Sequence, residues 1–167
     1  MWLLIKRFFE KYPARMKVAK LIFERGFQVK PPDKIVSGSI EIPHVQIAKE
    51  VGVDRRTVRE TAKMILENPE LRNIFQNLRQ VCFLKDVAKL FNWDVIIYVP
   101  KDAKRPRIVA EVTQIISRYG LNIRQIIAED PDLVEEPKLY IIIEGKVPPE
   151  VITELKHLPI TKSIIIQ

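Results

Sequence analysis

The sequence predicts an α+β protein in two parts, an all-α domain over residues 1–93 and a β-α-β-β-α-β domain over 94–167. Two observations carry this. Up to Trp93, apolar residues recur at helical spacing among cations; from Asp94 onward they gather into strand-length runs such as "DVIIYVP" and "LYIIIEG". The charge divides at the same place. Residues 1–93 hold 18 Lys and Arg against 10 Asp and Glu, a net of +8, and residues 94–167 hold 10 against 11, a net of −1, which together make the chain's +7. A positive field confined to one half concentrates polyanions there, although a well-solvated basic surface looks the same in composition.

Taken in order, "ARMKVAKLIFERGF" (Ala14 to Phe27) spaces Met16, Ala19, Leu21, Ile22 and Phe23 as a helix, with Gly26 as its stop. "IVSGSIEIP" follows, and its Ser37-Gly38-Ser39 centre predicts a loop or a small hairpin. After "QIAKEVGVDRRTVRETA" (Gln46 to Ala62), Asn68-Pro69-Glu70 offers a cap, a first-turn proline and an acid for a helix running to about Leu78. "VCFLKDVAKLFNW" predicts one more helix, with Cys82 as a small core residue and Trp93 at the domain junction. In the second half, strands over "DVIIYVP", "LNIRQIIAE", "LYIIIEG" and "TKSIIIQ" alternate with helices over "PRIVAEVTQIISRYG" and "PPEVITELKHL", a ferredoxin-like order.

The stretch from Gln46 to Ala62 carries the most chemistry. A helix-turn-helix, placed here at 44–66, packs two short helices across a tight turn. Small Ala48 admits the second helix, Gly52 permits the turn, Val53 and Val58 fill the space between, and Asp54 caps the second helix. Helical wrapping puts Val58, Thr61, Ala62 and Ile65 on one face and Arg56, Arg59, Glu60 and Lys63 on the other. Arginine can donate two hydrogen bonds to a guanine edge, and Arg55, Arg56 and Thr57 occupy the turns that enter a major groove. Gln46 and Lys49, on the preceding helix, are placed to meet phosphate. The predicted DNA-binding set is therefore Gln46, Lys49, Arg55, Arg56, Thr57, Arg59 and Lys63, and the partner is double-stranded DNA. An ordinary helical hairpin with a solvated basic face is the competing reading.

The sequence offers little to catalysis or to metals. It has no glycine-rich phosphate loop and no nucleophile-base set with supporting spacing, and Cys82, His44 and His157 are too few and scattered for zinc. No catalytic residue, cofactor or metal site is expected. Lys6 and Arg7 interrupt the opening apolar run, and a lone thiol fits a reducing compartment, so a soluble cytoplasmic protein with no membrane partner is expected.

The segment "KRPRIVAEVTQIISRYGLNIRQI" (Lys104 to Ile126) resembles the first helix and second strand of an ACT domain, through Pro106, the "VAEVTQII" helix and the "GLNI" turn. The resemblance covers Asp94 to Gln167, and with the helix-turn-helix the chain is similar to archaeal predicted regulators of amino-acid metabolism. It implies a ligand site between subunits formed by Asp102, Pro106, Arg107, Ile108, Asn122 and Ile123, with an amino acid as effector. Arg107 departs from the pattern, since ACT families commonly carry glycine directly after the proline. A domain that only dimerises is the alternative.

These readings combine into a homodimeric transcriptional regulator whose ACT-like domain pairs subunits edge to edge, with residues 83–91 coupling the two domains. Two rivals stand beside it. A leucine-responsive-type regulator also joins a helix-turn-helix to a βαββαβ domain, and a regulatory or protein-interaction subunit could keep the helical motif without binding DNA.

Overall fold

The computed structural model describes residues 1–167 and divides into two compact units, Met1–Cys82 and Phe83–Gln167. The molecule is α+β with two antiparallel sheets, one in each unit. No helix is long and apolar enough to cross a membrane.

The first unit begins with helices α1 (Trp2–Phe9) and α2 (Pro13–Glu24). Helix α1 buries Trp2, Ile5 and Phe9, and α2 buries Val18, Ala19 and Ile22. Phe23 links them to the rest of the unit, with its ring 5.6 Å from Trp2 and 6.4 Å from Phe75. The chain then forms β1 (Gln28–Lys30), β2 (Lys34–Ser37) and β3 (Ile40–Ile42), a three-stranded antiparallel sheet that corrects the all-α expectation for this half. Strands of three or four residues are too short to show a period in sequence. They are held by Val29 opposite Ile35, both fully buried, and by the β2–β3 turn at Gly38, whose φ of +63° suits glycine. Helices α3 (His44–Val51), α4 (Arg55–Glu67) and α5 (Pro69–Asn77) complete the unit. Asn68 caps α5, its Oδ1 accepting from the amides of Glu70 and Leu71. Gly26 has a left-handed φ of +63°, and a Cβ there would lie 2.6 Å from the Arg79 carbonyl oxygen. The segment after α5 therefore returns directly across the end of α2.

The division between units falls at Cys82/Phe83, eleven residues before the expected boundary at Trp93. The cause is packing. Phe83 meets Tyr140 edge-on at 5.1 Å, and the Leu84 amide donates to Gln125 Oε1 at 2.9 Å. Within the helix expected over Val81 to Trp93, residues Lys85–Phe91 form a 3-10 helix, and they bury Ala88 against Val95, Ile97, Tyr140 and Ile142. Trp93 likewise belongs to the second unit, stacked near Phe91 at 5.0 Å and under the Arg124 guanidinium at 5.4 Å. Cys82 is exposed, contrary to its expected place in a core, because the chain leaves the first unit's core before reaching it.

The second unit runs β4 (Asp94–Pro100), α6 (Ile108–Arg118), β5 (Ile123–Ala128), β6 (Leu139–Ile143), α7 (Pro149–His157) and β7 (Thr161–Ile166). Its sheet has the order β5-β6-β4-β7, with every neighbouring pair antiparallel. The two inner strands are the most apolar, as strands buried on both faces must be. Ile96, Tyr98, Ile141 and Ile143 pack with Val112, Ile116, Val151 and Leu155 of the two helices. Val95, Ile97 and Ile142 point to the other face, under the 3-10 helix.

Candidate functional site

Helix α3 ends at Gly52, whose φ of +69° and ψ of +45° let the Val53 amide reach back to the Ala48 carbonyl at 3.0 Å. Helix α4 starts three residues after Gly52, at Arg55. Asp54 Oδ1 accepts from the Thr57 amide at 2.8 Å and Oδ2 from the Thr57 hydroxyl at 3.0 Å, and these bonds hold the Asp54 carboxyl below the usual range. Val58, Thr61, Ala62 and Ile65 are fully buried, as the helical period requires, and the Thr61 hydroxyl donates to the Thr57 carbonyl at 2.7 Å. The Ala48, Gly52 and Asp54 positions thus perform the local tasks that their residue types suggested.

Wrapped at about 100° per residue, Arg55, Arg59, Lys63 and Arg56 fall on one arc of about 100°, which begins beside the buried arc at Arg55 and turns away from it toward Arg56. All four are exposed, as are Gln46 and Lys49 on α3. They are not equivalent. Arg56 Nε donates to Glu60 at 2.8 Å, and Glu60 also receives Arg15 at 2.5 Å, so its carboxyl titrates below its ordinary range, first because of Arg56 and then of Arg15. Arg59 Nε donates to Asp33, in the β1–β2 turn, at 2.8 Å. Arg55, Lys49 and Lys63 have no carboxylate partner, and their charge faces solvent. Thr57 is half-buried, and its hydroxyl donates to Asp54. Arg15 and Asp33 were not visible as partners of this surface, because both come from elements distant in sequence.

The residues implied as an effector site do not converge within one chain. Strands β4 and β5 run in the same direction on either side of β6. Ile123 pairs with Ile143 at the Asp94 end of the sheet, while Ala128 pairs with Leu139 beside Tyr98. Asn122 and Ile123 therefore lie at one end of the sheet, and the loop carrying Asp102, Pro106, Arg107 and Ile108 leaves β4 at the other. Asn122 donates to Glu144 at 3.2 Å, a contact that joins the start of β5 to the end of β6.

At the loop end there is a cavity of about 520 Å³, lined by Arg107 and Ile108 together with residues at the end of β5 and the start of β6. Asp102 lines a smaller neighbouring hollow with Lys104. Arg107 precedes α6 with φ +75° and ψ 0°, a left-handed conformation in a non-glycine residue, and no side chain caps the helix there. The backbone at this position has the geometry that glycine favours. Glu129 and Lys138, which also line the cavity, could not be found from sequence because only the pairing of β5 with β6 brings them together. No group of three or more His, Cys, Asp or Glu side chains is arranged to hold a metal ion. No protein-family model matches the chain, and no curated protein matches it.

Proposed function

We propose that this chain is a cytoplasmic, DNA-binding transcriptional regulator rather than an enzyme, with the first unit binding double-stranded DNA through α3 and α4. The observation that carries the reading is the two-sided character of α4, whose one arc is fully buried and whose open arc presents Arg55, Arg56, Arg59 and Lys63. Charge supports it. Met1–Cys82 hold 16 Lys and Arg against 9 Asp and Glu, a net of +7, while Phe83–Gln167 hold 12 of each, so the whole excess lies in the unit that contains α4. Arg55 and Lys63 are the residues ready to engage phosphate or base edges, and Gln46 and Lys49 would set the position on the duplex. Arg56 and Arg59, both exposed, would give up their pairs with the half-buried Glu60 and Asp33 to engage the ligand.

For the second unit we read a ferredoxin-like, ACT-like domain that makes the protein a homodimer and regulates the DNA-binding unit in amino-acid metabolism. Its β-α-β-β-α-β order supports this, as does a sheet in which the first and third strands are central. Dimerisation is supported by β7, an edge strand whose Ile165 and Ile166 remain exposed and which leaves ladder groups open to another chain. Two-fold dimers match paired half-sites. Selection of genomic DNA fragments by the purified protein tests the reading. A recurrent inverted repeat is expected, and recovery of fragments with no common sequence, bound no better than by an unrelated basic protein, would overturn it.

A further inference from the structure

The cavity beside Arg107 has chemistry of its own. Its body is apolar, formed by Ile108, Ala128 and Leu139 among others, and its rim is cationic. The rim charges can be counted one at a time. Arg105 is paired with Glu111 at 3.3 Å. Glu129, the one carboxylate lining the cavity, already accepts from the Lys138 amide at 3.0 Å and from the Tyr140 hydroxyl at 3.3 Å, one bond to each oxygen. Arg107 has no carboxylate partner, and Lys138 lies in the field of Glu136, which is itself paired with Lys162 at 2.6 Å. With Arg105 and Glu111 counted as a pair, Arg107 and Lys138 outweigh Glu129, and the lining keeps a net positive charge.

We infer that this cavity binds a small apolar carboxylate, an aliphatic or aromatic acid whose carboxylate pairs with Arg107 while its hydrocarbon part lies against Ile108, Ala128 and Leu139. The volume of about 520 Å³ suits a molecule of that size. A planar guanidinium offers two parallel donors to a carboxylate. An α-ammonium group could reach Glu129, but it leaves the ligand with no net charge for the positive lining to attract. The site therefore favours a simple or keto acid over the zwitterionic amino acid of the same skeleton, and Asn122 and Ile123 take no part in it. This deepens the regulatory reading of the second unit but does not depend on DNA binding, since the ligand is detected on the protein alone.

Titration calorimetry of the full chain with 4-methylpentanoate, 4-methylpentanamide and leucine tests the assignment. The carboxylate is expected to bind at least about tenfold more tightly than the amide, the difference made by one charge-assisted bidentate contact, and more tightly than leucine, whose ammonium group cancels its net charge. Arg107→Gly, which suits the left-handed backbone and so preserves the fold, is expected to weaken the carboxylate by about tenfold or more. Ala128→Trp, which fills the cavity from its lining, is expected to abolish binding. Equal binding of acid and amide, tighter binding of leucine, unchanged binding by Arg107→Gly, or no binding of the acid would each overturn the proposal. Loss of DNA recognition with carboxylate binding intact would instead count against the regulator alone.

Discussion

Helix α4 starts behind Asp54, whose carboxylate accepts from the Thr57 amide, whereas α6 starts behind Arg107, held at φ +75° with no side-chain cap. Beyond their first turns the two helices are alike. Each buries four residues, Val58, Thr61, Ala62 and Ile65 in one and Ile108, Val112, Ile115 and Ile116 in the other. The difference at the start thus separates two uses of a helix end. At α4 the cap stabilises the helix so that cations on its open face can be displayed to a partner. At α6 a residue is kept where glycine would be easier, and its guanidinium lines a cavity.

The likeness of the buried faces sets the largest expected effects. Ile65→Ala and Ile116→Ala each remove a fully buried side chain and should cost about 2–5 kcal/mol in urea denaturation. A much smaller loss from one of them would show that its helix is not held by that face. Next comes Gly52→Ala, which forces a Cβ into the left-handed region with nothing nearby to clash, and should cost about 1–2 kcal/mol. Gly26→Ala meets the Arg79 carbonyl as well as the same backbone penalty, so it should cost more than Gly52→Ala in the same assay.

Arg107→Gly should do the opposite and raise stability by up to about 1 kcal/mol, because relief of the left-handed strain exceeds the extra freedom that glycine adds to the unfolded chain. A higher melting temperature with weaker carboxylate binding would establish that strain is kept for the ligand. A lower one would remove the contrast with α4. Asp54→Asn probes the other helix start and should have the smallest effect. Asp54 titrates below its unfolded value, so its stabilisation is present above the unfolded carboxylate pKa and fades as pH falls through the folded one. The variant should therefore be less stable than the parent near neutral pH, and the gap should close in acid. A gap that persists at low pH would mean that the ionised cap is not its cause.

What sequence could reveal depended on the range of the interaction. The buried face of α4 is legible because Val58, Thr61, Ala62 and Ile65 repeat with the helix itself, and strands β4 and β6 because both their faces are covered. Of the sheet formed by β1, β2 and β3, the β2–β3 hairpin was foreshadowed by Ser37-Gly38-Ser39, whereas β1 escaped because three residues are too few to show alternation. The boundary at Cys82/Phe83 escaped because it is set by Phe83 against Tyr140, residues far apart in the chain. The same holds for the two sites. The cations of α4 were found as a local pattern, but of their carboxylate partners only Glu60 is local, while Asp33 and the Arg15 that shares Glu60 come from distant elements. Pro106 and Asn122 suggested a ligand site between subunits by analogy, and within one chain strand direction places them at opposite ends of the sheet.

The most direct test of the central claim is the salt dependence of duplex DNA binding, measured by fluorescence anisotropy for the parent, for Arg55→Gln and Lys63→Gln on the open arc of α4, and for Arg118→Gln on α6 as a charge-matched control. The parent affinity should fall steeply with salt. Each α4 variant should bind more weakly, and if it contacts phosphate it should lower the logarithmic slope by about one, while the control stays at parental values. Equal slopes and affinities in all four proteins would contradict a DNA interface on α4.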